Sequence, residues 1–164
     1  MLEEKTLAAA RAAFTEYLRV KKLRKTPERY AILDKVCQIN GHFGIDELYT
    51  SVIADGFHVS KATLYNTIEL FTKCGIVRKH QFGTSKALYE ITTGIANHLH
   101  LICQQCGKIK EVKDSEFMAY MASKRFSSFN NSYFCLYVYG VCGTCARRKK
   151  RMLKNVSTKN KSQK

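Results

Sequence analysis

Ser60-Lys61-Ala62-Thr63-Leu64-Tyr65-Asn66-Thr67-Ile68-Glu69-Leu70-Phe71-Thr72-Lys73-Cys74-Gly75 reads as one complete helix with both of its ends marked. Ser60 is a good N-cap, Leu64, Ile68 and Phe71 recur at helical spacing, and Gly75 is a good residue just past the end. The other face shows Lys61, Thr63, Asn66 and Lys73, with Tyr65 at its edge. Residues 76–82 and 87–91 then read as two strands around Gly83-Thr84-Ser85.

Working backwards, Ile45, Leu48, Val52 and Ile53 mark another helix, stopped by Asp55-Gly56. Thr26-Pro27 reads as the N-cap and first residue of a helix carrying Ile32, Leu33 and Val36. Before it, Leu7, Ala10, Phe14 and Leu18 mark a first helix that Thr6 is placed to cap, followed by a basic cluster. With that first helix set aside, three helices and a β-hairpin follow the order of a winged helix-turn-helix.

The second half changes character. Residues 98–102 and 109–112 read as a strand and its return, a helix runs from about 115 to 125, and residues 133–139 form a third strand. Cys103-Gln104-Gln105-Cys106 and Cys142-Gly143-Thr144-Cys145 are two C-x-x-C knuckles. Each sets two thiolates on a tight turn, and two such pairs close a tetrahedron suited to structural Zn²⁺. Two local redox pairs and an iron–tetrathiolate centre are the alternatives. No thioredoxin-like βαβ pattern surrounds the knuckles, which favours zinc. A zinc site supplies on the order of 10 kcal/mol of folding free energy to a small domain. Cys37, Cys74 and Cys135 sit in apolar patterns and are expected to be buried and inert.

His98 and His100 alternate, so they share one face of their strand, with Leu99 and Leu101 turned the other way, toward a core. A hairpin symmetric about the first knuckle sets Glu111 opposite His98. Two imidazoles and a carboxylate suit Fe²⁺, Mn²⁺, Zn²⁺ or Co²⁺, but solvated polar residues on a half-buried sheet give the same pattern.

Length and charge bound the partners. The 164 residues, 45% hydrophobic, suffice for one ordinary domain or two small ones. No apolar run reaches the roughly 20 residues of a membrane helix, and Glu3 and Glu4 sit where a signal peptide would be basic, so no membrane partner and a cytoplasmic protein are expected. The seven cysteines are an odd number, which argues against a disulfide framework. Net charge is +15, but residues 147–164 hold 9 basic side chains and no acid, leaving +6 for the rest. A polyanion is the favoured partner, nucleic acid before membrane. The tail reads equally as a solubilising end or a grip on DNA.

These segments together resemble the ferric uptake regulator (Fur) family of bacterial metal-dependent repressors. The matching stretches are Thr26-Pro27-Glu28-Arg29, His42 with Asp46-Glu47-Leu48-Tyr49, and Ser60-Lys61-Ala62-Thr63-Leu64-Tyr65. Gly75-Ile76-Val77, Tyr89-Glu90-Ile91-Thr92, residues 98–108 and Tyr137-Val138-Tyr139-Gly140 complete them. The resemblance implies an α+β chain. A winged-helix DNA-binding domain (1–91) is followed by a hinge (92–97), an α/β dimerisation and metal-binding domain (98–146) and a basic disordered tail (147–164). It implies structural zinc on Cys103, Cys106, Cys142 and Cys145, and a regulatory metal on His42, Glu90, His98, His100 and Glu111. Iron is the favoured regulatory metal, ahead of manganese. Peroxide-sensing members tend to carry aspartates where Glu90 and Glu111 stand, and zinc-sensing members usually bring a cysteine.

The implied activity is operator binding by a homodimer, not catalysis. Tyr65 is expected on a thymine methyl, Asn66 on a base edge, Ser60, Lys61 and Thr63 on phosphates, and Arg24 in an A·T-rich minor groove. Two departures stand out. A further family metal site maps to Asn97, Leu99, Met118 and Phe134, whose side chains predict its absence, and Asn66 replaces a frequent Arg. A constitutive nucleic-acid-binding zinc protein, with another effector such as haem, manganese or zinc, or with none, is the alternative. A metal-dependent hydrolase is a weaker one, since no H-E-x-x-H or obvious nucleophile is present.

Overall fold

The computed structural model describes residues 2–82, 86–94, 97–129 and 133–159. The expected turn at Gly83-Thr84-Ser85, residues 95–96 of the expected hinge and the last five residues of the tail lie outside them. The chain divides into two compact units, Met1–Ala96 and Asn97–Lys164.

The first unit runs α1 (Leu2–Val20), α2 (Pro27–Gln38), β1 (His42–Phe43), α3 (Ile45–Ala54), α4 (Lys61–Lys73), β2 (Val77–His80) and β3 (Leu88–Ile91). Helix α1 starts before Thr6, so Thr6 does not cap it. Leu2, Glu3 and Glu4 are good helix formers, and acids suit a helix N-terminus. Thr6 instead meets Gly94, where φ is +76° and an added Cβ would lie 2.6 Å from the Thr6 hydroxyl. Both facts favour glycine there. Pro27 opens α2, and the Ser60 hydroxyl caps α4 by accepting from the Thr63 N–H at 3.0 Å.

Phe14 joins the helices. Its ring lies edge-on to Phe71 at 4.8 Å and to Tyr30 at 5.7 Å. The Arg11 guanidinium forks onto Asp34 of α2, with Nε donating to Oδ1 at 2.8 Å. Leu18, Ile32, Leu33, Leu48, Leu64 and Ile68 fill the core around them. The sheet has the order β1-β3-β2 with antiparallel neighbours. Strand β1 is absent from the sequence reading. Two residues carry no periodicity, and only pairing with β3 makes them a strand.

The second unit runs β4 (Leu99–Cys103), β5 (Ile109–Val112), α5 (Ser115–Ser123), β6 (Leu136–Gly140) and α6 (Gly143–Lys159). Strand β4 is central, antiparallel to β5 and parallel to β6.

Three expectations need correction here. Glu111 stands opposite His100, not His98. The turn closes on Cys103 and Lys108 (Cys103 N–H to the Lys108 carbonyl, 2.9 Å), with Gly107 at φ +70°. That shifts the register by two residues, which preserves the face. Secondly, the buried face of β4 is that of His98, His100 and Ile102, while Leu101 on the other face is 36% exposed. Helix α5 contributes no buried residue. Thirdly, the tail expected to be disordered from 147 is helical through Lys159. Its stretch after Gly143 holds no glycine or proline and is rich in helix formers, and the Ala146 N–H bonds the Cys142 carbonyl at 2.9 Å to start it.

Phe14→Ala should destabilise the first unit by about 3–5 kcal/mol, because its buried ring leaves a cavity between α1, α2 and α4. Urea denaturation followed by far-UV circular dichroism checks this; a loss below about 1 kcal/mol would mean α1 is not integral to the core.

Candidate metal centres and nucleic-acid interface

The parallel pairing of β4 and β6 brings Cys103 level with Gly140, so both knuckles emerge at one end of the sheet. The Gln104 N–H donates to the Gly140 carbonyl at 2.8 Å and locks the first knuckle to β6. Sγ of Cys103, Cys106, Cys142 and Cys145 all lie within 4.8 Å of one another. Cys106 and Cys142, from different knuckles, are 3.8 Å apart. Thiolates bound tetrahedrally at about 2.3 Å stand about 3.8 Å apart, so the set fits Zn²⁺. Convergence of the knuckles argues against two separate redox pairs.

The thiols are unequal. Backbone N–H donors, that of Cys142 first (3.3 Å), pull Cys103 down to about 6. The neighbouring Cys142 and Cys106 sulfurs, followed by burial, push Cys145 up to about 12. Four thiols this close cannot all ionise without a cation among them. Away from the knuckles, Cys37, Cys74 and Cys135 are half-buried and not buried as expected, though burial still raises Cys37 to about 11, in keeping with an inert thiol.

A second cluster belongs to the first unit. Strand pairing sets His42 opposite Glu90, and His80 reaches the same carboxylate from β2. His80 Nε2 lies 3.0 Å and His42 Nε2 3.8 Å from Glu90 Oε2. The side chains of His42, His80 and Glu90 are 9%, 0% and 3% exposed. Phe82 stacks on His80 (5.4 Å, 5°) and meets His42 edge-on at 5.4 Å.

His80 was missed at the sequence level. A hairpin centred on residue 84 places position 80 opposite Leu88 and diagonal to Glu90, so the register held the signal.

The second unit carries a third cluster. His98 Nε2 and His100 Nε2 are 3.2 Å apart, and Glu111 Oε2 lies 3.8 Å from His98. Both imidazoles are buried, and Glu111 is exposed. Nitrogens converging this closely suit adjacent positions on one ion, since cis ligands with bonds of about 2.1 Å stand about 3 Å apart. At the positions of the further family site, Phe134 packs edge-on against Phe117 at 6.3 Å.

Helix α4 buries Leu64, Thr67, Ile68 and Phe71. Tyr65 is 51% exposed and Asn66 is exposed, so neither belongs to the core. Ser60 and Thr63 hydroxyls lie 2.9 Å apart within the cap. Lys61 pairs with Asp46 at 3.3 Å, and Lys86 joins the same carboxylate at 2.9 Å. Lys86 first, then Lys61, holds Asp46 below the usual carboxylate range. Arg24 is exposed in the loop between α1 and α2, and its carbonyl accepts from Arg29.

Residues 20–131 match the model of the ferric uptake regulator family. The chain belongs to that family. A relative is the peroxide-responsive repressor PerR of Staphylococcus aureus, 33% identical over 129 residues, covering 78% of this chain and 86% of that protein. The Vibrio cholerae ferric uptake regulator structure is 31% identical, with a TM-score of 0.57 over 77% of this chain and 98% of that one. The Pseudomonas aeruginosa ferric uptake regulator with manganese, 24% identical with a TM-score of 0.67 over 79% and 97%, shares the fold. Among the described residues no helix is long and apolar enough to cross a membrane.

Zinc loading must strip protons from thiols such as Cys145, so apparent zinc affinity should rise with pH. Below about pH 6 Cys103 is protonated too, and the fall should steepen. Chelator competition between about pH 5 and pH 8, with proton release recorded, checks this. An affinity flat across that range would contradict a four-thiolate site.

Proposed function

We propose that this chain is a cytoplasmic, metal-responsive, sequence-specific DNA-binding repressor acting as a homodimer, with Fe²⁺ the favoured effector and Mn²⁺ next. The carrying observation is that each unit gathers buried imidazole next to carboxylate, which a single structural metal site does not require. Family membership supports regulation rather than catalysis. In this reading Cys103, Cys106, Cys142 and Cys145 hold structural Zn²⁺. His42 and Glu90 of the first unit, with His98, His100 and Glu111 of the second, hold the regulatory cation.

A cation that draws ligands from two units favours whichever arrangement of them satisfies it. If that arrangement is the DNA-competent one, metal and DNA binding are coupled, at about 1–3 kcal/mol or 5–150-fold in affinity. Helix α4 is the reading element. Its exposed Tyr65 and Asn66 face the bases, with Tyr65 suited to a thymine methyl and Asn66 to an adenine edge. Lys61 and the Ser60–Thr63 cap lie at the helix N-terminus, where a phosphate is favoured. Arg24 is free of the core to enter a narrow minor groove.

A peroxide response is a second reading, favoured by the likeness to PerR. Glu90 and Glu111, where such members tend to carry aspartate, weigh against it. Loss of DNA binding by the iron-loaded protein on brief peroxide treatment, but not by the manganese-loaded one, would establish it.

Operator binding by the zinc-loaded protein, measured anaerobically at fixed salt, should tighten about 5–150-fold on adding Fe²⁺. His98→Ala should lose that gain and keep its zinc. Equal binding with and without Fe²⁺ would leave a constitutive DNA-binding protein.

Helix α6 presents Arg147, Arg148, Lys149, Lys150 and Arg151, all exposed. Removing residues 147–164 should flatten the salt dependence of DNA binding by about 0.9 in log–log slope for each phosphate that the tail neutralises. An unchanged slope would make the tail a solubilising end.

A further inference from the structure

We propose that the first unit holds a divalent cation by itself through His42, His80 and Glu90, so that capture of the effector precedes any contribution from the second unit. The proposal rests on the regulatory reading for His42 and Glu90 and adds His80, which that ligand set does not contain.

Three adjacent strands each supply one donor. His42 comes from β1, Glu90 from β3 and His80 from β2. Their ligand atoms lie within 4.8 Å of one another. The two nitrogen-to-oxygen separations are 3.0 and 3.8 Å. Adjacent ligands on a divalent ion with bonds of about 2.1 Å stand about 3 Å apart in an octahedron and somewhat farther in a tetrahedron. A hydrogen bond between His80 and Glu90 alone would not bring a second imidazole to the same carboxylate oxygen. Phe82 packs against both imidazoles.

Two imidazoles and one carboxylate with positions left open suit Fe²⁺, Mn²⁺, Co²⁺ or Zn²⁺. The three ligands belong to one sheet, so they are already gathered and the capture site needs no rearrangement between units. The imidazoles and carboxylate of the second unit then complete or exchange with this set. Affinity and switching thereby rest on different residues: His80 sets how readily metal is captured, and His98, His100 and Glu111 set what capture does to DNA binding.

The test uses full-length protein with zinc in its four-cysteine site, titrated with Co²⁺ and read by the visible absorption of bound cobalt and by stoichiometry. The triple variant His98→Ala/His100→Ala/Glu111→Gln should still bind one Co²⁺ beyond the zinc, more weakly than wild type. Adding His80→Gln, which keeps a hydrogen-bonding group but is a poor ligand, should abolish that binding. His80→Gln alone should weaken Co²⁺ binding about 10–100-fold. Circular dichroism and thermal melting establish that each variant is folded. A folded triple variant that takes up no second Co²⁺, or one whose uptake is indifferent to His80→Gln, overturns the proposal. The regulatory reading fails separately: Co²⁺ bound as described but without effect on operator affinity in wild type would sink that reading and leave this one standing.

Discussion

Four sulfur atoms within 4.8 Å of one another are the constraint around which the second unit is built. Thiols packed so closely repel as they ionise, and a divalent cation turns that repulsion into the strongest local attraction available to a small sheet. Strand β4 ends at one knuckle, β6 leads into the other, and α6 starts within the second. The parallel register of β4 and β6 and the start of the basic helix therefore depend on the same spot. Helix α5 buries no residue, so apolar packing alone is a thin support for this unit.

Glu90 plays the comparable part in the first unit, with different chemistry. It sits on the central strand of the three-stranded sheet, where neighbours on both sides reach its carboxylate. A buried carboxylate is costly unless hydrogen-bonded, paired or bound to metal. Here imidazoles surround it, and imidazole serves as a hydrogen-bond partner and as a metal ligand with the same nitrogen. The wing of the winged helix thus does more than support α4. It carries side chains able to ligate a metal, and in the proposed function the same unit carries the DNA-reading face, which would make DNA binding answer to a cation.

The basic charge is divided by task. Along α4 it is sparse and partly neutralised, since Asp46 engages Lys61 and Lys86. Under the proposed function, sequence discrimination there falls to the exposed Tyr65 and Asn66. Most of the excess positive charge lies in and beyond α6, where no acid balances it. Such a run adds affinity for any phosphate backbone without choosing among sequences.

Much of this was legible in the sequence because local rules govern it. The cap at Ser60, Pro27 at a helix start and the left-handed Gly75 are short-range facts of backbone chemistry, and they placed α2 and α4 closely. The two knuckles announced their thiolate set because spacing alone puts two sulfurs on one turn. Alternation put His98 and His100 on one face, and a register error of two residues left that face unchanged, as the period of a strand requires.

What the sequence by itself determined is therefore the type and order of the elements and the donor chemistry they carry. Tertiary structure decided which donors meet. His42 became a strand residue opposite Glu90 only through pairing with β3, and His80 joined them by a diagonal that becomes legible only once the hairpin register is fixed. It also decided which face of β4 is buried, because burial depends on what covers a sheet and not on alternation within one strand.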